Sequence, residues 1–289
     1  EGSIVIQDPD KIKDVIDQFA QETTLDQFIE TLEVLGIDQK SKKEKEIIWF
    51  EAQNIDEIPL ADDISKSSND ELSFPTIWKM GDPLDDLDLL LTLQTSPKIL
   101  PGVTTKKWAK QYSDKAIDEK KDSDLLMVID TSGSMGDMTQ KGSKLHEAVL
   151  ASFGFVKYFE TKRSDIALVN FSDTKKIESW TKEYEQIKNL LLFSWGGGTD
   201  FPIGSINDLV EEKRENLLIV ILTDGELNNW RQSFDLFKEL LLLENKIFLF
   251  IMGNTGKVDN YQGLKQYGGF VGNATTEEEI RDIVFNEIL

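Results

Sequence analysis

The chain has no cysteine, and only one of its 289 residues, His146, is a histidine. Those absences exclude disulfides, thiol catalysis and a zinc site built on nitrogen and sulfur, so a bound metal has to rest on oxygen. Cations are scarce as well: 32 Lys and Arg stand against 53 Asp and Glu, a formal charge of −21. That field repels phosphate backbones and anionic bilayers, and no nucleic-acid partner is expected. Long apolar runs are also missing. The two longest, Leu217 to Leu222 and Ile247 to Met252, hold six residues each, against the roughly 20 of a membrane-spanning helix, so no membrane span is expected. Residues 1–10 have neither the basic start nor the apolar core of a secretory signal, and the first methionine is Met80. Cysteine content fits either compartment. The expectation is a cytoplasmic protein whose natural start lies before Glu1.

What is present falls into three stretches: residues 1–53, 54–121 and 122–289. From residue 122 onward, short β-rich apolar runs alternate with amphipathic ones, the pattern of a mostly parallel sheet covered by helices on both faces, Rossmann-like in class. Strands are expected at Leu125–Asp130, Ile166–Asn170, Ile177–Trp180, Leu217–Thr223, Ile247–Met252 and near Gly269–Val271. Ile177–Trp180 should be an antiparallel edge, because only a tight turn separates it from the strand before. Between Lys144 and Glu160, Leu145, Ala148, Val149, Phe155 and Phe159 recur at helical spacing as one core-facing stripe, which puts His146 on the polar side. Residues 1–53 read as helical: one helix near Asp10–Gln21, one opened by a capping box at Thr24 and Gln27 and ended by Gly36, and one near Lys42–Gln53. Residues 54–73 are acidic and aperiodic, a long loop. Pro75, Pro83, Pro97 and Pro101, with Trp78 and Trp108 among them, then suggest an extended arm packed on the C-terminal domain.

The most specific feature is Asp130-Thr-Ser132-Gly-Ser134, directly after an apolar strand. It places a carboxylate and two hydroxyls at the carboxyl end of a central strand, where open α/β sheets bind ligands. Two further loops leave the same edge: Gly196-Gly-Gly-Thr199-Asp200, and Thr223-Asp224-Gly225. Five oxygen donors then converge, a hard set suited to Mg²⁺, Mn²⁺ or Ca²⁺. With Asp130 and Asp224 as the only anions, the ion's charge is just balanced and it stays receptive to one more acidic ligand. A bare helix cap is the alternative account of the Asp130 turn.

These residues resemble the metal ion-dependent adhesion site of the von Willebrand factor A domain: Asp-x-Ser-x-Ser, then a Thr, then an Asp, over residues 122–289. The resemblance implies that Ser132, Ser134 and Thr199 contact a metal ion, Mg²⁺ foremost, with Asp130 and Asp224 binding it directly or through waters. It also implies a partner protein that supplies a Glu or Asp. The lead-in, Trp78-Lys-Met-Gly-Asp-Pro83 followed by Ser96-Pro97 and Pro101-Gly-Val-Thr-Thr-Lys-Lys-Trp108, resembles microbial CoxE-like proteins, whose companions are MoxR-type AAA+ ATPases. The expected function is therefore a divalent-cation-dependent protein-protein interaction module, an adaptor or cofactor of such an ATPase in protein remodelling or metal-centre maturation.

Most enzyme readings fail on residue type. A phosphotransferase Asp-x-Asp would need an acid where Ser132 stands, and the Gly196 loop lacks a Gly-Lys-Ser/Thr ending. A metal-assisted hydrolase is the alternative, with Glu226 as its candidate base; no cofactor besides the metal and no catalytic residue is expected. Asp137, Asp173, Asp200 and Glu226 read as an acidic rim. Lys40, Lys42, Lys43 and Lys45 read as one exposed helix face, and the cluster Asp82, Asp85, Asp86 and Asp88 lacks a calcium-loop spacing. Trp195 and Trp230 flank the site loops, either framing the partner face or filling local core.

Overall fold

The structure, a computed structural model, describes residues 9–34, 40–54, 74–78, 87–88, 106–109, 123–253 and 255–288. The chain divides into two compact units, residues 1–58 with 121–289 and residues 59–120. In the second unit, strands β1 (Phe74–Ile77), β2 (Leu87–Asp88) and β3 (Lys106–Ala109) form an antiparallel sheet in the order β1-β3-β2, with Trp78 buried just after β1. Strand pairing thus organises a stretch whose prolines and tryptophans indicated only extension. The stretch 55–73, the proline motifs from Met80 to Pro101, and all of the acidic cluster except the backbone of Asp88 lie outside the described residues.

In the first unit, helices α1 (Pro9–Glu22), α2 (Leu25–Val34) and α3 (Lys42–Gln53) precede a six-stranded sheet. Its strands are β4 (Asp124–Asp130), β5 (Ile166–Phe171), β6 (Lys175–Thr181), β7 (Leu217–Thr223), β8 (Lys246–Met252) and β9 (Phe270–Ala274), in the order β6-β5-β4-β7-β8-β9. Every pairing is parallel except β5 with β6. This is the Rossmann-like, mostly parallel sheet with one antiparallel edge strand that the sequence implies. β4, β5 and β7 are buried at every position because both faces of the sheet are covered.

Side chains alternate across the strands with period two. Leu125, Met127 and Ile129 enter one core, where α4 (Lys144–Lys162), α5 (Tyr184–Leu191) and α8 (Glu277–Ile288) pack. Leu126 and Val128 enter the other, under α6 (Ile203–Glu212), α7 (Trp230–Leu242) and a 3-10 run, Thr255–Tyr267.

The first core continues outward into the N-terminal helices. Thr24 and Gln27 exchange capping-box bonds at 3.2 and 3.5 Å, and Ser41 with Glu44 forms a second box that opens α3. The expected stop at Gly36 lies outside the described residues. Trp49 and Phe50 of α3 are fully buried, and Phe50 stacks on Phe153 of α4 at 5.2 Å. Asn54 Nδ2 donates to Leu150 O at 3.0 Å, and Lys188 of α5 pairs with Glu51 at 2.7 Å. Next to Leu150 on α4, a Cβ at Gly154 would stand 2.9 Å from Arg281 Cδ and 3.2 Å from Asn54 Oδ1, so the absent side chain leaves room for α8 and the end of α3 together.

Two expectations are corrected by this second helical layer. His146 is 2% exposed, its ring 5.4 Å from both Trp49 and Phe50. The side of α4 that looked solvated is the seat of α3. Lys45, expected on an exposed face, is 3% exposed and pairs with Glu33 of α2 at 2.9 Å.

Candidate metal centre

β4 and β7 are neighbours in the sheet, so Asp130 and Asp224 emerge at the same carboxyl edge. Asp130 is fully buried. Its Oδ1 accepts from Ser132 N at 2.9 Å, and its Oδ2 from Thr223 Oγ1 at 2.8 Å. Ser132 Oγ and Ser134 Oγ lie 3.2 Å apart on the 3-10 turn Gly133–Met135. Thr199 reaches the edge on a separate loop that hydrogen bonds to both others. Gly196 N donates to Thr131 O at 3.0 Å, Gly133 N to Gly197 O at 3.2 Å, and Asn228 N to Thr199 O at 3.3 Å. Asp130, Ser132 and Asp224 are almost wholly buried, Thr199 is 7% exposed, and Ser134 is open to solvent. The five residues singled out by sequence therefore gather on three mutually bonded loops.

A left-handed backbone is what requires glycine here. Gly197 has φ +90°, and a Cβ on it would collide with the Asp173 carboxylate. Asp173 is exposed, as expected of a rim residue, and its carboxylate lies over Gly197 and Gly198.

The two carboxylates differ electrostatically. Burial raises Asp130 above the ordinary carboxylate range, aided by the charge of Asp224 and only partly offset by its bonds to Ser132 and Thr223. Burial pushes Asp224 the same way, but bonds from Ser134 and Lys144 and the charges of Lys144 and Lys257 outweigh it and hold the group low. Lys144 Nζ lies 3.2 Å from Asp224 Oδ2 and 3.1 Å from Ser134 O. The other oxygen, Asp224 Oδ1, is buried with no hydrogen-bond partner.

Thr223 and Lys144 escaped the sequence reading as members of the site. Lys144 did carry a signal, since a cation in the first turn of a helix opposes the helix dipole and calls for a nearby anion. No group of three or more His, Asp or Glu suited to a metal occurs among the described residues. A cation here would depend on hydroxyls beside two carboxylates, and the orphaned Asp224 oxygen fits that donor set.

A cleft of ≈ 690 Å³ adjoins Asp224, lined by Glu226, Asn228, Trp230, Arg231, Asn260 and Tyr261 among others. Trp230 is 9% exposed and packs on Phe201, Phe237 and Tyr261, so it is local core. Trp195 is half exposed beside the glycine loop. Glu226 is ion-paired with Lys257 at 2.7 Å.

Among solved structures, the chain is similar to BatB from Bacteroides thetaiotaomicron, at 17% identity over 57% of this chain and 97% of that one, with a TM-score of 0.45. It is also similar to the pilus adhesin SpaC from Lactobacillus rhamnosus GG, at 12% identity over 58% and 30% of the two chains, with a TM-score of 0.46. For the SpRpn10 VWA domain the identity is 16%, over 56% and 94%, and the TM-score 0.41. No curated protein matches the chain. Residues 125–226 match the family model of the von Willebrand factor type A domain, a span that includes Asp130, Ser132, Ser134, Thr199 and Asp224. Residues 125–226 are thus similar in sequence to a von Willebrand factor type A domain, and the six-stranded sheet around them has that fold.

Proposed function

We propose that this protein is a divalent-cation-dependent protein-protein interaction module in which Asp130, Ser132, Ser134, Thr199 and Asp224 hold Mg²⁺, with Mn²⁺ or Ca²⁺ as alternatives. The observation that carries the reading is Asp224 Oδ1, a buried anionic oxygen without a partner, next to a second buried carboxylate. Such an oxygen is costly unless a cation meets it, and Lys144 engages only its twin. A bound cation would supply a Lewis-acidic centre for an acidic side chain from a partner protein.

The chain's own groups prepare that contact. Ser132 and Thr223 fix both oxygens of Asp130. Lys144 offsets part of the charge of Asp224, so the protein donors fall short of balancing two positive charges and a further anion is favoured. Trp195, exposed at the rim, offers apolar surface to exclude water around a charge-assisted contact. The von Willebrand A domain supports an interaction role over a catalytic one. So do the pairing of Glu226 with Lys257, which occupies the base that a hydrolase would need, and the burial of His146 beneath α3.

The finer role, an adaptor or cofactor of a MoxR-type AAA+ ATPase acting in the cytoplasm, is supported by the CoxE-like lead-in around Trp78 and Trp108. Among the described residues no helix is long and apolar enough to cross a membrane.

Calorimetric titration tests the metal assignment. The wild type should take up one Mg²⁺ per chain, and Asp130→Ala and Asp224→Ala should lose it while remaining folded. Saturating Mg²⁺ should raise the melting temperature of the wild type alone. Unchanged affinity in both variants would overturn the assignment. Turnover of an ester or phosphoester that Asp224→Ala abolishes would instead establish the hydrolase. Capture on a purified MoxR-type ATPase, in Mg²⁺ and again in EDTA, tests the partner.

A further inference from the structure

The loop that carries Ser132 and Ser134 runs on to residue 143, and its outer half touches the N-terminal helices. Lys141 Nζ donates to Ala20 O at 2.9 Å and Gln21 O at 2.7 Å. These carbonyls belong to the last turn of α1, where no intrahelical N–H reaches them and a cation is favoured by the helix dipole. α1 has no basic residue of its own in that turn, so the cap comes from a position 121 residues away in sequence. The same ammonium lies 5.4 Å from the Trp49 ring of α3.

His146 adds a second tie. Its Nδ1 donates to Met138 O at 2.8 Å while its ring packs against Trp49 and Phe50. Within the loop, Asp137 Oδ1 accepts from Thr139 N at 2.8 Å, and Ser143 caps α4 through His146 N at 3.1 Å and donates to Asp137 O at 2.5 Å. Met135 is buried in the core that α1 and α3 share. Displacing Lys141 therefore strains a short, internally bonded segment whose other end is Ser134.

We infer that α1 and α3 clamp the metal-bearing loop through Lys141 and His146, so that docking of the N-terminal helices and occupancy of the cation site are thermodynamically linked. The linkage to a cation rests on the metal reading above; the clamp itself does not. By reciprocity, a cation that tightens the loop must tighten the end of α1 by the same factor.

Amide hydrogen exchange on the full chain separates the two. Without metal, Lys141→Met should speed exchange in residues 137–142 and in the last turn of α1 by about 10-fold, the worth of charge-assisted bonds, and leave β7 and β8 unchanged. Lys141→Arg, which keeps the donor, should restore slow exchange. Exchange in both segments unchanged by Lys141→Met overturns the clamp, whether or not Mg²⁺ binds. In the wild type, saturating Mg²⁺ should slow the last turn of α1, and Lys141→Met should weaken Mg²⁺ by roughly 3- to 10-fold. Binding of Mg²⁺ with α1 exchange unaltered and affinity equal in the variant overturns the linkage. An absence of Mg²⁺ binding in the wild type refutes the metal reading and the linkage, and leaves the clamp to be judged on the metal-free exchange.

Discussion

One face of the sheet is covered once and the other twice. Under α6, α7 and the 3-10 run, Trp230, Phe237 and Tyr261 close the core. Over the opposite face, α4 is itself roofed by α3, so most of its residues from Leu145 to Phe159 are buried and it has no solvated side of the usual width. An amphipathic helix shows its partner by its apolar stripe; a helix packed on two sides hides the second partner behind residues that look polar. Hence His146 and Lys45 are interior groups, whereas the buried polar residues of α6 and α7 among the described residues are the small Ser205 and Ser233.

The largest effect should come from removing an aromatic that joins the two layers. Phe50→Ala deletes the ring stacked on Phe153 and against His146, at about 3–5 kcal/mol of stability by chemical denaturation. The loss should occur in one transition. A separate early transition of the N-terminal helices would break the comparison, since the outer layer would then be an appendage. Trp230→Ala on the other face should cost ~3 kcal/mol, slightly less, because that ring keeps 9% exposure at the rim of its cleft.

Gly154→Val places atoms where Arg281 Cδ and Asn54 Oδ1 already stand, and overpacking of that kind costs ~1–3 kcal/mol. A matched loss in melting temperature, without change at the metal edge, would mark Gly154 as the point where α8 and the end of α3 meet on α4.

Acid acts on the doubly covered face through two opposed groups. Burial holds His146 below the usual imidazole range, with Lys141 adding to the effect and Glu147 and the bond to Met138 opposing it. The neutral ring is therefore native, and its contribution, intact above an ordinary pKa of about 6.5, is lost as pH falls toward the lowered value. Nearby Glu277 runs the other way. Burial, outweighing Arg281 at 2.7 Å, pushes it up to about 7, so its contribution fades as pH rises through that value. Comparing His146→Gln with the wild type isolates the imidazole: on going from about pH 7 to about pH 5.5 the variant should lose less stability than the wild type. Equal losses would show that the ring is not held neutral.

The smallest effect belongs to Trp195→Ala. Half exposed on its loop, it should change stability by no more than ~0.5 kcal/mol, yet weaken any partner captured in Mg²⁺. A large loss of stability would move it to the same class as Trp230.

Much of the sheet was legible in the sequence because strands buried on both faces read as continuous apolar runs, and Leu217 to Leu222 and Ile247 to Met252 are such runs. The antiparallel edge was legible from the shortness of one turn. That Asp130, Ser132, Ser134, Thr199 and Asp224 share one sheet edge was legible because their segments follow, or lie in loops between, recognisable strands of a parallel sheet. Thr223 was not, because its role depends on which strands are neighbours, and adjacency of β4 and β7, 93 positions apart at Asp130 and Thr223, leaves no local mark; Lys144 left only the hint of a cation at a helix start, which does not say which anion it meets.

By itself, then, the sequence determined the strands of the large sheet, their succession along the chain, the chemical character of the carboxyl edge and the exclusion of sulfur or imidazole metal chemistry, since each follows from residue type and short-range periodicity. Only the tertiary structure decided that an oxygen of Asp224 lies buried and unpartnered, that Lys144 holds its twin, and that Lys141 caps a helix 121 positions away. Burial and long-range pairing are properties of packed surfaces, and whether a polar group meets water or a neighbour is settled when those surfaces close on each other.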